Sequence, residues 1–308
     1  MTLTEQVTKN IVRKLINGDD YRIEIVTLIN AEFLQFAIEF FKQVAEAKLN
    51  NKNIDIDWYK KEMLSLELSP EEIAINSGLN KKTITNMYNS GTKEVVIEAS
   101  YEHYDTLYKA IDDLTKDEDL NLSFQIKFNK VSVELDINES LIVINTLAVK
   151  RAALRGGLWS TAGKQTEGPL MITLCKLYDV PTENYSIKPR AKKIKKGEIN
   201  REIDFYLRLD NTEYKCEVKL MGKGNPESAD AVIARDSALF VADKLSDQNK
   251  SQLEQLNIEW VELRNNIGYK RFKLVLENLG IPHKDVGDIN IETRLDEIFN
   301  EIFVNYSG

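Results

Sequence analysis

The residues best suited to chemistry in this chain are Asp204 and, thirteen positions later, the triplet Glu217-Val218-Lys219. Both lie in segments that alternate with period two. Ile203, Phe205, Leu207 and Leu209 share one face of the first segment, leaving Asp204, Tyr206 and Arg208 on the other. In the second, Cys216, Val218 and Leu220 oppose Lys215, Glu217 and Lys219. The Asp210-Asn211-Thr212 stretch between them is rich in turn formers, so the pattern predicts a β-hairpin. With Asn211-Thr212 as its loop, Asp210 pairs with Glu213, Asp204 falls opposite Lys219, and Glu217 lies diagonal to it. Cross-strand partners stand about 5 Å apart and diagonal ones roughly 7–8 Å, so two acids and an amine crowd one spot. Two such carboxylates hold Mg²⁺ by hard oxygen ligation, and the Val218 carbonyl offers a further ligand. An adjacent ammonium orients a water and stabilises negative charge developing on a phosphate. The expected chemistry is Mg²⁺-dependent hydrolysis of a phosphodiester. Glu-x-Lys alone is a weak signal. Glu46-Ala47-Lys48 repeats the spacing on a helical segment, where i and i+2 diverge, and an exposed Glu/Lys ladder on a hairpin would carry the same letters.

The rest of the composition narrows the alternatives. Two cysteines, Cys175 and Cys216, make neither a disulfide framework nor a metal-site spacing, and the two histidines, His103 and His283, leave little for imidazole chemistry. Catalysis must rest on carboxylates and lysines. The net charge of −8 argues against a nucleic-acid partner when taken as a sum. Its distribution argues otherwise: Lys188, Arg190, Lys192, Lys193, Lys195, Lys196 and Arg201 crowd the stretch just before Asp204, with Glu198 as the single acid. A solvated loop accounts for such a run on its own, but its place beside the acidic hairpin favours phosphate contact. No apolar run is long enough to span a bilayer, and Met1 to Lys14 has no signal-peptide core. The expectation is a cytoplasmic chain without a membrane partner.

Several further elements must position these residues. Tyr21–Leu49 has long helical periodicity, and a helical segment follows around Ile56–Leu66. Ser69-Pro70-Glu71-Glu72 combines an N-cap serine, a first-turn proline and a capping-box acid. Residues 70–89 fit a helix-turn-helix, with Ile73 and Ala74 in the first helix, Gly78 in the turn, and Leu79, Ile84 and Met87 facing inward. Lys81, Lys82, Thr83, Thr85 and Asn86 would then face phosphates and base edges; a plain αα-hairpin fits the same letters. Tyr101–Leu114 predicts another helix, and the acidic stretch at 115–119 a boundary. Beyond it come a hairpin at 122–128 and 131–135, a helix at 138–154 ending at Gly156-Gly157, a helix at 169–178, a helix at 228–245, a core strand at 256–263, and C-terminal helices at 272–279 and 291–304. Two domains are expected: residues 1–118, helical and reading DNA through the helix-turn-helix near 70–89, and residues 119–308, catalytic.

Asp204 with Glu217-Val218-Lys219 resembles the PD-(D/E)xK nuclease superfamily, with Ile203 where the motif's proline usually stands. The following segment, from Val218 through Gly222-Lys223-Gly224-Asn225-Pro226 to Asp230, resembles type II restriction endonucleases of the CfrBI kind. The resemblance covers roughly Thr166 to Arg264 and leaves the helical N-terminal third outside. It implies an α/β (α+β) core, a mixed central sheet flanked by helices, and a Mg²⁺-dependent homodimer cutting double-stranded DNA at a short palindromic site. It also implies a glutamate on a helix preceding the core strands, for which Glu167 is the candidate; an ordinary acid at a helix N-terminus is the plainer account of it. Lys223, Arg235 and Asp236 join as candidate DNA or dimer contacts, and a salt-bridged surface helix accounts equally well for any one of them. Two other functions stay open: a DNA-repair or modification-dependent nuclease, and a non-enzymatic helix-turn-helix regulator whose hairpin is purely structural.

Overall fold

The computed structural model describes residues 3–77, 92–116, 123–128, 131–188, 205–220, 236–285, 287 and 290–304. The chain divides into two compact units, one of residues 1–28 and 158–308 and one of residues 29–157. Among the described residues no helix is long and apolar enough to cross a membrane.

Helices dominate the unit of residues 29–157: α2 (Arg22–Leu49, which begins before it), α3 (Ile56–Met63), α4 (Pro70–Asn76), α5 (Lys93–Lys116) and the first half of α6 (Ile137–Leu177). An antiparallel hairpin, β1 (Phe124–Phe128) and β2 (Val131–Leu135), joins them in the expected place. Phe40, Val44, Trp58, Tyr59, Tyr104, Leu135, Ile142 and Val143 form its core. The capping box at α4 is present: Glu72 N–H donates to the Ser69 hydroxyl at 3.2 Å, and Ser69 N–H to the Glu72 carboxylate at 2.9 Å. The Tyr59 and Tyr104 hydroxyls both donate to the Asn76 carbonyl at 2.9 Å, and the Asn76 amide donates to the Met63 carbonyl at 2.9 Å. These bonds satisfy a buried helix end. Only α4 and Ser77 of the expected helix-turn-helix are described; its turn and second helix lie outside the described residues.

The other unit holds α1 (Leu3–Asn17), the end of α6 and a five-stranded mixed sheet. The sheet runs β3 (Tyr185–Ser186), β4 (Phe205–Leu209), β5 (Thr212–Lys219), β6 (Leu239–Ala242), β7 (Glu259–Glu262). The first three strands are antiparallel, and β5, β6 and β7 are parallel. Phe205, Leu207, Cys216, Val218, Leu239, Val241 and Val261 are wholly buried. Phe240 and Ala242 pack with Leu245, Leu253, Ile258 and Trp260 beneath α7 (Asp247–Gln255). Burial, with Cys216 close by, pushes the Cys175 thiol of α6 well above its ordinary value. Helices α8 (Arg271–Asn278) and α9 (Ile291–Phe299) complete the unit.

Three expectations need correction. Gly156-Gly157 does not end a helix: α6 is continuous from Ile137 to Leu177 and carries Pro169 inside it. A helical glycine costs only about 1 kcal/mol, and Pro169 removes one intrahelical bond, the one its missing N–H would make to the Gln165 carbonyl, while the helix carries on past it. Leu239, Phe240 and Val241, expected on a helix, form strand β6; an unbroken apolar run is what a parallel strand buried on both faces requires. The β4–β5 loop is Asp210-Asn211, so Glu213 pairs with Arg208 rather than with Asp210. Asp210 takes a left-handed φ of 49°, which an aspartate tolerates at a tight turn.

The approach to α8 is sterically exacting. A methyl at Gly268 would lie 2.0 Å from the Glu262 carbonyl oxygen. Gly268→Ala is therefore expected to destabilise the protein by about 2 kcal/mol, measured as a lower denaturation midpoint; an unchanged midpoint would contradict this close approach.

Candidate active site

Strand alternation alone sets Glu217 and Lys219 on one face of β5. There the Lys219 ammonium meets the Glu217 carboxylate at 2.9 Å. Glu217 is wholly buried, whereas the Lys219 side chain keeps 26% of its exposure. Burying a carboxylate so completely costs free energy unless it has charged or hydrogen-bonding partners, and inside the sheet each such interaction is stronger than in water. Glu217 pairs in register with Phe240, and Lys219 with Ala242. Lys219 is thus the last residue of β5, at the carboxyl ends of the parallel strands, where open α/β sheets hold their ligands. Val218 points to the opposite face and is buried; its carbonyl, the part with a possible ligand role, belongs to the β5 backbone.

Glu167 lies half-buried on α6, between buried Thr166 and Gly168. A methyl at Gly168 would come within 3.7 Å of the Ile187 side chain, so this part of the helix passes the chain leaving edge strand β3. Lys188, at the start of the basic run, is exposed, and its carbonyl accepts from the Arg208 guanidinium at 2.7 Å. Asp204, Lys192, Lys193, Lys195, Lys196, Arg201, Lys223 and Arg235 lie outside the described residues, as do Lys81, Lys82, Thr83, Thr85 and Asn86. Among the described residues no three acids, histidines or cysteines gather as a metal cluster.

Sequence reasoning missed a buried acid next to Lys219. Asp243 is 1% exposed and directly follows Ala242, the partner of Lys219. Its N–H donates to the Lys219 carbonyl at 3.4 Å, its carbonyl accepts from Arg264 N–H at 2.7 Å, and its carboxylate accepts from Lys244 N–H at 2.8 Å. Burial first, and Asp243 second, push the Tyr21 phenol well up. No spacing announces this residue; only the end of an apolar strand does.

The family model described as CfrBI restriction endonuclease matches residues 5–250. The chain belongs to that family. For a CfrBI-family chain, a match beginning at residue 5 brings in the N-terminal helices that the sequence resemblance leaves out. It also takes in Glu167, the basic run, the Glu217–Lys219 pair and Asp243. No curated protein and no solved structure matches the chain.

Proposed function

We propose that the protein is a sequence-specific type II restriction endonuclease that hydrolyses both strands of DNA at a short palindromic site, as a homodimer in the cytoplasm, with Mg²⁺. One observation carries the reading beyond the family: a wholly buried carboxylate, Glu217, has the ammonium of Lys219 at 2.9 Å at the open end of the parallel strands. Extending the β4–β5 pairing by one residue from Phe205 and Cys216 would set Asp204 directly across from Glu217, about 5 Å away.

The donor set fits a hard divalent cation: carboxylate oxygens and a carbonyl, with no imidazole or thiolate. Asp204, Glu217 and the Val218 carbonyl would hold Mg²⁺, which supplies Lewis acidity toward a phosphate when bound. Lys219 donates hydrogen bonds to the attacking water and to the scissile phosphate, steadying the charge that accumulates there. Glu167 adds a third acid from α6. Lys192, Lys193, Lys195, Lys196, Arg201, Lys223 and Arg235 grip the backbone, and Lys81, Lys82, Thr83, Thr85 and Asn86 reach the bases through the helix-turn-helix. In this scheme residues 1–118 read DNA and residues 119–308 cut it, a division of roles rather than of packing.

The test is plasmid DNA incubated with protein and Mg²⁺, followed by sequencing of the ends. Ends that share one palindromic sequence, and no cutting in EDTA, are expected. Uncut plasmid, or ends without a common sequence, would refute the proposal. Cutting only of methylated plasmid would reassign the protein to modification-dependent nucleases.

A further inference from the structure

We propose that the outer face of α6 between Ile144 and Arg155 is a second DNA-contact surface, on which Arg151 and Arg155 grip the sugar–phosphate backbone. This rests on the endonuclease reading and adds a site apart from the basic run and the helix-turn-helix. Ile144, Ala148, Arg151, Ala152 and Arg155 are all exposed, at the spacings that keep residues on one side of a helix. No aspartate or glutamate stands between Ser140 and Thr166, in a chain whose net charge is −8.

The basic side chains are supported without being neutralised. The Arg151 guanidinium lies over the Phe33 ring at 5.5 Å, and the Lys150 ammonium over Phe36 at 4.5 Å. An aromatic face orders a cation and leaves its N–H groups able to bind an anion. Among the other described residues the arginines are spent: Arg13, Arg22, Arg208, Arg264 and Arg294 each meet a carboxylate, and Arg271 stacks on Trp260 and donates to its carbonyl. Among the described residues Arg151 and Arg155 meet no carboxylate. Glu32 and Glu72 attract the half-buried Lys150, whose own value burial lowers. Arg151 and Arg155 stand one turn apart, roughly 6 Å along the axis, with the short Ala148 and Ala152 beside them on the same face and no bulk to hold a phosphate strand away. Guanidinium is the group suited to phosphate oxygens, so this acid-free row fits a polyanion better than a protein face.

The experiment measures binding of the full chain to a short DNA duplex by fluorescence anisotropy, without Mg²⁺, across a salt series. Arg151→Gln/Arg155→Gln is expected to weaken binding about tenfold at low salt and to flatten the log–log salt slope by about 2, since each phosphate contact contributes roughly 0.9. Arg151→Lys/Arg155→Lys keeps the charge and should restore the slope, which a merely structural defect would not do. An unchanged slope in the Gln variant overturns the proposal, and so does a change in its oligomeric state with the slope intact. Wild-type protein that binds duplex yet never cuts overturns the endonuclease reading and leaves this surface standing. Wild-type protein that cuts while the Gln variant keeps its slope does the reverse.

Discussion

Lys219→Ala is expected to lower Mg²⁺-dependent DNA cutting by a factor of about 10²–10³, the usual loss when one preorganised donor to a developing oxyanion is removed, while duplex binding persists. The ammonium sits 2.9 Å from Glu217 and retains partial exposure, so it can face both the buried carboxylate and an incoming phosphate. Removing it also leaves Glu217 buried without this partner, and some loss of stability must accompany the loss of rate. Lys219→Met separates the two effects, because it keeps an unbranched stem of similar length and removes the charge. Single-turnover cleavage of plasmid, with binding measured in Ca²⁺, gives the rate and the affinity independently. Full cutting by a folded Lys219→Ala protein would remove the lysine from the mechanism. Loss of binding in step with cutting would make it a docking residue instead.

How much of this site was legible beforehand depends on which physical rule each feature obeys. That Glu217 and Lys219 share a face follows from the two-residue period of a strand, which needs only local alternation, and the structure brings them together. The register of the hairpin turns on one backbone angle. Asp210 adopts a φ of 49° and so enters the loop, whereas three turn-forming letters in a row permit either loop. The order of β6 and β7 beside β5 arises from pairings between residues far apart in sequence. The Leu239–Ala242 run looks alike whether a helix or a sheet buries it, so only the neighbouring strands decide. Gly156, Gly157 and Pro169 weaken a helix locally, yet packing along α6 outweighs their propensities. Asp243 carries no motif, because its position is defined by the strand that ends before it and by contacts with Lys219 and Arg264. Asp204 and the basic run beyond Lys188 fall outside the described residues, so their part in the site is still the sequence's expectation.

The largest stability effect is expected at Glu139, which lies far from β5 in sequence and serves the helical unit. Asp136 and Glu139 cap α6 reciprocally: Glu139 N–H donates to the Asp136 carboxylate at 2.9 Å, and Asp136 N–H to the Glu139 carboxylate at 3.1 Å. Glu139 also accepts from Ile54 N–H at 3.0 Å and from the Lys48 ammonium at 2.8 and 2.9 Å. With the residue 6% exposed, one carboxylate ties α2, α3's approach and α6 together. Glu139→Gln keeps the shape but turns an NH₂ toward a donor and cancels the charge opposite Lys48, so a loss of about 3 kcal/mol is expected. The pH dependence fixes the cause. Burial raises the Glu139 carboxyl, yet the bonds from Ile54, Lys48 and Asp136 with the Lys48 charge outweigh it, and the net direction is down. A carboxyl held below its unfolded value contributes stability fully above that unfolded value and loses it as pH falls through the folded one. The gap between wild type and Glu139→Gln, measured by urea denaturation, should therefore be widest at neutral pH and narrow in acid. A gap of the same size at both ends would assign the loss to packing, and the charge would have no part in it.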